Sequence, residues 1–105
     1  MADWTFLTNH AHVLVCVARD PGMRLRDIAD GVGITERATQ RIVAELVEAG
    51  YLTRHREGRR NHYRLDPSQP LRHPLERGHS IGELLAILGA AVAPEARVDD
   101  APGDD

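Results

Sequence analysis

LRDIADGVGITERATQRIVAELVEAGYLTRHREGRRNHYRL, residues 25–65, is the stretch whose reading decides the fold. It reads as a short helix, a turn, a longer helix and a hairpin studded with arginine. Leu25 is the entry. From Arg26 to Val32 a compact helix turns Ile28, Ala29 and Val32 inward. Gly33 ends it, since glycine tolerates left-handed geometry. Thr35 caps the next helix, which runs to Ala49 and stops at Gly50. Residues 53–57 and 62–65 are then two strands joined by Gly58-Arg59-Arg60-Asn61. In the second strand Tyr63 and Leu65 face one way, and His62 and Arg64 the other.

At about 100° per residue, the longer helix sorts into two sides. Thr39, Ile42, Val43 and Leu46 fall together, with Val47 at their margin. Arg37, Arg41, Ala44 and Glu48 lie opposite, with Gln40 on the flank. The first set is a buried face. On the second, Arg37 and Arg41 stand at i and i+4, where like charges cost an isolated helix a few tenths of a kcal/mol. A helix whose outer face meets only water gains by placing an acid at one of those positions. The pair is explained if an anion or a guanine edge lies opposite, and Gln40 has the matching geometry for adenine.

The hairpin extends the same pattern. Between Arg54 and Arg64 there are five arginines (54, 56, 59, 60 and 64) and one acid, Glu57. Charge that resists edge-to-edge aggregation accounts for one or two of them. Five suit a polyphosphate, with Arg59 and Arg60 at the tip foremost and Arg54, Arg56 and Arg64 behind. The formal net charge of -3 misleads here. After Pro94, five acids (Glu95, Asp99, Asp100, Asp104 and Asp105) face Arg97 alone, a tail of net -4. The remaining 11 acids and 12 arginines leave residues 1–94 at +1. Local density, not the total, sets phosphate affinity.

Outward from this stretch, Trp4, Phe6 and Leu7 form a short apolar arm. Thr8 or Asn9 caps a first helix to about Arg19, stopped by Asp20-Pro21-Gly22. That helix is apolar around most of its circumference (Ala11, Val13, Leu14, Val15, Cys16, Val17, Ala18), so it needs cover on all sides. A second subunit is the expected cover. Residues 66–70, Asp-Pro-Ser-Gln-Pro, break regular structure. Ser80 caps a last helix from about Ile81 to Ala93, with Leu84, Leu85, Ile87 and Leu88 apolar. Residues 95–105 are acidic and small, as disordered tails are.

A chain of 105 residues suffices for one domain, expected over residues 1–94. Its longest apolar runs fall short of the roughly 20 residues that cross a bilayer. No secretory leader pattern opens the chain, so a cytoplasmic location is the expectation. Cys16 is the only cysteine, which excludes an intrachain disulfide and a zinc finger. His12 and Cys16 stand at i and i+4, His10 lies beside them, and His73 and His79 flank the last helix. The thiol between Val15 and Val17 fits a buried side chain better than a metal ligand. No metal and no cofactor is expected. A Cys16–His12 nucleophile pair lacks any accompanying phosphate loop or paired carboxylates, so the chain reads as no enzyme.

The whole is mainly α with a small β-hairpin, in the order α-α-α-β-β-α. That is the order of a winged helix-turn-helix, dimerising through its terminal helices. In such a module one helix enters the major groove while the hairpin, the wing, reaches the adjacent backbone. Arg37, Gln40 and Arg41 are the candidate base readers. Arg26, Thr35, Arg54, Arg56, Arg59, Arg60 and Asn61 are the candidate backbone contacts. Val13, Val17, Leu84, Leu85 and Leu88 are the candidate dimer seam. The alternative is a winged helix whose basic wing binds an acidic protein without reading DNA.

The same residues resemble the winged helix regulators of the MarR and ArsR type. The rhythm IADGVGITERATQRIVAELVEAGYLTRHREGRRNHYRL carries the likeness, with L-x-x-A-G-Y-L closing the helix and R-x-R-E-G-R-R-x-x-Y-R-L forming the wing. The resemblance covers about 45 of the 105 residues. It implies a homodimer on a palindromic duplex operator, and transcriptional control, often repression relieved by a small-molecule effector. Carried over, Arg37, Gln40 and Arg41 match the recognition positions, and Arg59 and Arg60 the wing tip. One helix before the module and one after leave little material for a ligand cavity between dimer and DNA-binding parts.

Overall fold

The computed structural model describes residues 3–90. The expected acidic tail and the expected last turn of the final helix lie outside them. The chain divides between Asp66 and Pro67 into two compact units, where the sequence suggests one domain to residue 94.

The first unit holds α1 (Asn9–Arg19), α2 (Leu25–Val32), α3 (Glu36–Glu48), β1 (Leu52–Glu57) and β2 (Arg60–Leu65). Thr8 caps α1 by accepting from the Ala11 amide at 3.3 Å. Gly33, at φ 90°, closes α2 as expected. Thr35 caps α3, accepting from the Ala38 amide at 3.0 Å. Ile28 and Ala29 of α2 pack with Thr39, Ile42, Val43 and Leu46 of α3, and with Val13, Leu14 and Val17 of α1. Tyr51, Leu52, Tyr63 and Leu65 bring the root of the hairpin into that core. Thr39 is its one buried polar side chain among the described residues, and its hydroxyl is satisfied by donating to the Thr35 carbonyl at 3.0 Å.

Two expectations change here. Val13 and Val17, placed at a dimer seam, are 0% and 1% exposed within a single chain. The chain's own α2, α3 and β2 pack on α1, so its inner face needs no second subunit to cover it. The outer side, Ala11, Val15, Cys16 and Ala18, is left half-buried. Burial pushes the Cys16 thiol above its ordinary pKa, and Arg19 partly offsets that.

The hairpin is also tighter than its sequence suggests. Glu57 pairs directly with Arg60, so only Gly58 and Arg59 turn the chain, and Arg60 and Asn61 belong to β2. Gly58, at φ 62°, supplies the left-handed residue that two-residue hairpins favour.

The second unit begins at Pro67. An isolated bridge joins Pro70 and Ser80, and the Leu71 amide donates to the His79 carbonyl at 3.0 Å. Between them a 3-10 turn, Pro74–Glu76, is held by a reciprocal box in which His73 accepts from Leu75 and Glu76 accepts from the His73 amide. α4 (Ile81–Ile87) is capped by Ser80 as expected, but it ends near Leu88 rather than Ala93. Gly89, at φ 76°, takes the left-handed conformation that terminates helices. In α4 Ile81 and Leu85 are buried, Leu84 is half-buried and Leu88 is exposed.

Candidate nucleic-acid interface

The helical period places one face of α3 in the core and leaves the other free. Arg37, Gln40, Arg41, Ala44 and Glu48 are all exposed, and Val47 sits at the margin. Among the described residues, neither Arg37 nor Arg41 makes an ion pair. The obvious neutraliser on the same helix, Glu45, is taken by His10 of α1, Nε2 to Oε1 at 2.7 Å. The one acid of the wing, Glu57, lies 3.3 Å from His62 Nε2. Glu45 and Glu57 thus each face a histidine, and among the described residues neither pairs with an arginine.

Antiparallel pairing distributes the wing arginines over both faces. Arg54 pairs with Tyr63, Arg56 with Asn61, and Arg64 with Thr53. Arg54, Arg59 and Arg64 are exposed and, among the described residues, without an acidic partner. Two others are held by backbone. Arg56 Nε donates to the Gly58 carbonyl at 3.4 Å, and Arg60 donates to the Gly22 carbonyl. The loop carrying Gly22 is drawn against β2 a second time, since the Tyr63 amide donates to the Pro21 carbonyl at 3.1 Å. The His62 ring covers Gly22 so closely that a Cβ there would come within 3.0 Å of it.

Of the expected backbone contacts, Arg26 is exposed in the first turn of α2, two residues after Arg24. Thr35 is exposed and uses its oxygen as the α3 cap, which leaves its O–H to donate outward. Asn61 is drawn into β2 and half-buried, with its Oδ1 buried and without a hydrogen-bond partner among the described residues. It stands behind the tip rather than on it.

Sequence reasoning passed over Arg24. It is the N-cap residue of α2, exposed, and makes no side-chain cap bond. With Gly22, Met23, Leu25, Arg59, Arg60, Asn61 and Tyr63 it lines a cleft of about 330 Å³ between the α1–α2 loop and the wing. Among the described residues no three His, Cys, Asp or Glu side chains converge as metal ligands, and no helix is long and apolar enough to cross a membrane.

Three helices, a capped turn into an exposed arginine face and a basic two-stranded wing define a winged-helix protein. The sequence pattern of the MarR family matches residues 5–60, more than half of the chain, and the chain belongs to that family. Its members are DNA-binding transcriptional regulators. No curated protein and no solved structure matches the chain.

Proposed function

We propose that the chain is a sequence-specific regulator that binds a palindromic duplex operator as a homodimer and represses transcription. The observation that carries this reading is the pair Arg37 and Arg41. They are exposed one turn apart, and the nearby Glu45 is engaged by His10. α3 enters the major groove. Arg37 and Arg41 donate to guanine edges and Gln40 pairs with adenine. Arg26, Thr35, Arg54, Arg56, Arg59 and Arg60 hold phosphates on either side. No catalytic step is assigned, and the setting is cytoplasmic.

The dimer uses surface that one chain leaves uncovered. In α4 that is Leu88 and the outer part of half-buried Leu84, since Leu85 is buried, and Trp4 and Phe6 before α1 are 66% and 91% exposed. Two-fold symmetry then sets half-sites about 34–36 Å apart.

A binding selection from random duplexes with wild type and Arg41→Ala tests the reading. A palindromic consensus that loses definition at one position per half-site in the variant supports it. Identical preferences in the two proteins refute base reading by α3. Binding to an acidic protein that survives charge reversal at Arg37, with no duplex bound in dilute buffer, would favour a protein adaptor instead.

A further inference from the structure

Two carboxylates lie where the chain itself would neutralise an arginine, and neither does so. Glu45 stands one turn after Arg41 on α3, the spacing at which opposite charges pair along a helix. Its Oε1 instead accepts from His10 Nε2 of α1 at 2.7 Å. Glu57 stands directly opposite Arg60 across the hairpin, where opposite charges also pair. Its Oε1 lies instead 3.3 Å from His62 Nε2, one step diagonally along β2. Other charges surround both histidines. Of the elements packed on α1, α3 also carries Arg41 and Glu48, and α2 carries Arg26, Asp27 and Asp30. Arg60 and Arg64 share the face of His62 on β2, His55 stands opposite it on β1, and the α1–α2 loop brings Asp20 and Arg24. α1, packed on β2, adds His12 and Arg19. Among the described residues, the only charged partner of His10 is Glu45 and that of His62 is Glu57.

We propose that His10 and His62 are positioning residues that hold Glu45 and Glu57 off the DNA-binding arginines, and that the chain grips duplex DNA more tightly when these two imidazoles are protonated. Histidine changes charge between about pH 5 and 8. Protonated, each imidazole holds its glutamate through a charge-assisted contact, the stronger kind. As the proton leaves, that hold falls to that of a neutral donor. The guanidinium within reach, Arg41 in one case and Arg60 in the other, then competes for the carboxylate. An arginine paired in this way must give up its glutamate before it meets a base or a phosphate. DNA therefore draws a proton onto each pair, and affinity falls as pH rises. Side chains are 46% and 53% exposed in His10 and Glu45, and 37% and 70% in His62 and Glu57, so each effect is only a few-fold. The link to DNA rests on the proposed function, whereas the exchange of partners within the free chain does not.

The affinity of the full chain for a duplex taken from the binding selection is measured from about pH 5.5 to 8 at constant ionic strength. Wild type is expected to lose about fivefold across that range. His10→Gln with His62→Gln, which do not titrate, should flatten the profile to less than about twofold. Glu45→Gln with Glu57→Gln should flatten it as well, and should leave binding at the alkaline end as tight as that of wild type at the acidic end. His79→Gln breaks a similar pair, 2.7 Å from Glu83, in the unit that holds none of the candidate DNA contacts, and should keep the wild-type profile. An undiminished slope in the double glutamate variant would place the histidines directly on phosphate and overturn the proposal, as would a flat wild-type profile. In a separate arm without DNA, the Cζ carbons of Arg41 and Arg60 are followed by NMR over the same range. They should shift in step with the ring protons of His10 and His62, and stand still in the double histidine variant, whose dispersed spectrum reports that it is folded. Arginine carbons that ignore the histidines would overturn the exchange of partners. A chain that shows the linked shifts yet binds no duplex would overturn the DNA reading and leave the positioning role standing.

Discussion

The arginines of α3 and those of the wing carry the same charge, but two of the wing's five are held where neither of α3's is. Arg37 and Arg41 rise from a rigid helix with no acidic partner among the described residues, free to choose a rotamer against whatever lies opposite. In the wing, Arg56 and Arg60 are already bonded to backbone carbonyls, of Gly58 and Gly22. A side chain that can rearrange is suited to discriminate between base edges. One fixed in place is suited to meet a phosphate, which looks the same in every sequence. Charge density alone does not separate the two regions; restraint sets only Arg56 and Arg60 apart, while Arg54, Arg59 and Arg64 of the wing are as exposed as Arg37 and Arg41.

That contrast can be broken at several levels. The largest effect should come from the platform beneath both regions. Ile28 is 0% exposed between α1 and α3, and Ile28→Ala should cost about 2–5 kcal/mol of folding stability, measured by urea unfolding. Next comes Arg41→Ala, which should cost about 1–3 kcal/mol on the preferred duplex and almost nothing on a scrambled one. Equal losses on both would place Arg41 with the wing arginines.

Arg60→Ala should weaken all duplexes alike and flatten the logarithmic salt dependence by about 1. A loss confined to one sequence would make Arg60 a reader and erase the contrast. Smaller again is His10→Ala. The His10–Glu45 contact is exposed, so its stability cost should stay below about 1 kcal/mol. Its binding cost should exceed that of a neutral surface change, because the freed Glu45 stands one turn from Arg41.

Cys16 gives the smallest signal. Its raised pKa means the folded chain holds the proton more tightly than the unfolded chain. Stability is therefore constant below the ordinary thiol value of 9.0 and declines as pH rises through the raised one. Iodoacetamide at pH 8 should accordingly modify the native thiol more slowly than the thiol in urea.

The split of α3 into a core face and a free face was legible because helical periodicity fixes it, and Thr39, Ile42, Val43 and Leu46 are buried as their spacing requires. The caps at Thr8, Thr35 and Ser80 were legible for a similar local reason. The tip of the wing was not, since every residue of Gly58-Arg59-Arg60-Asn61 tolerates a turn and only the register shows that Arg60 pairs with Glu57. The end of α4 was hidden because the apolar run continues past Gly89. The burial of Val13 and Val17 looked like a demand for a partner, because composition cannot say that α2, α3 and β2 return to cover them. Least legible was the cleft. It depends on Arg60 reaching Gly22, 38 positions earlier, and no local pattern encodes that meeting.

The amide of Tyr63, donating to the Pro21 carbonyl at 3.1 Å, ties the α1–α2 loop to the wing by one backbone hydrogen bond. Two strands alone are marginally stable in water, so this bond anchors the middle of β2, and beyond it the backbone near the tip has only its own ladder. Hydrogen–deuterium exchange along β2 should consequently grade from protected at Tyr63 to rapid at Arg60. The wing behaves as a cantilever, clamped where it leaves the core and compliant where it would follow the curve of a duplex.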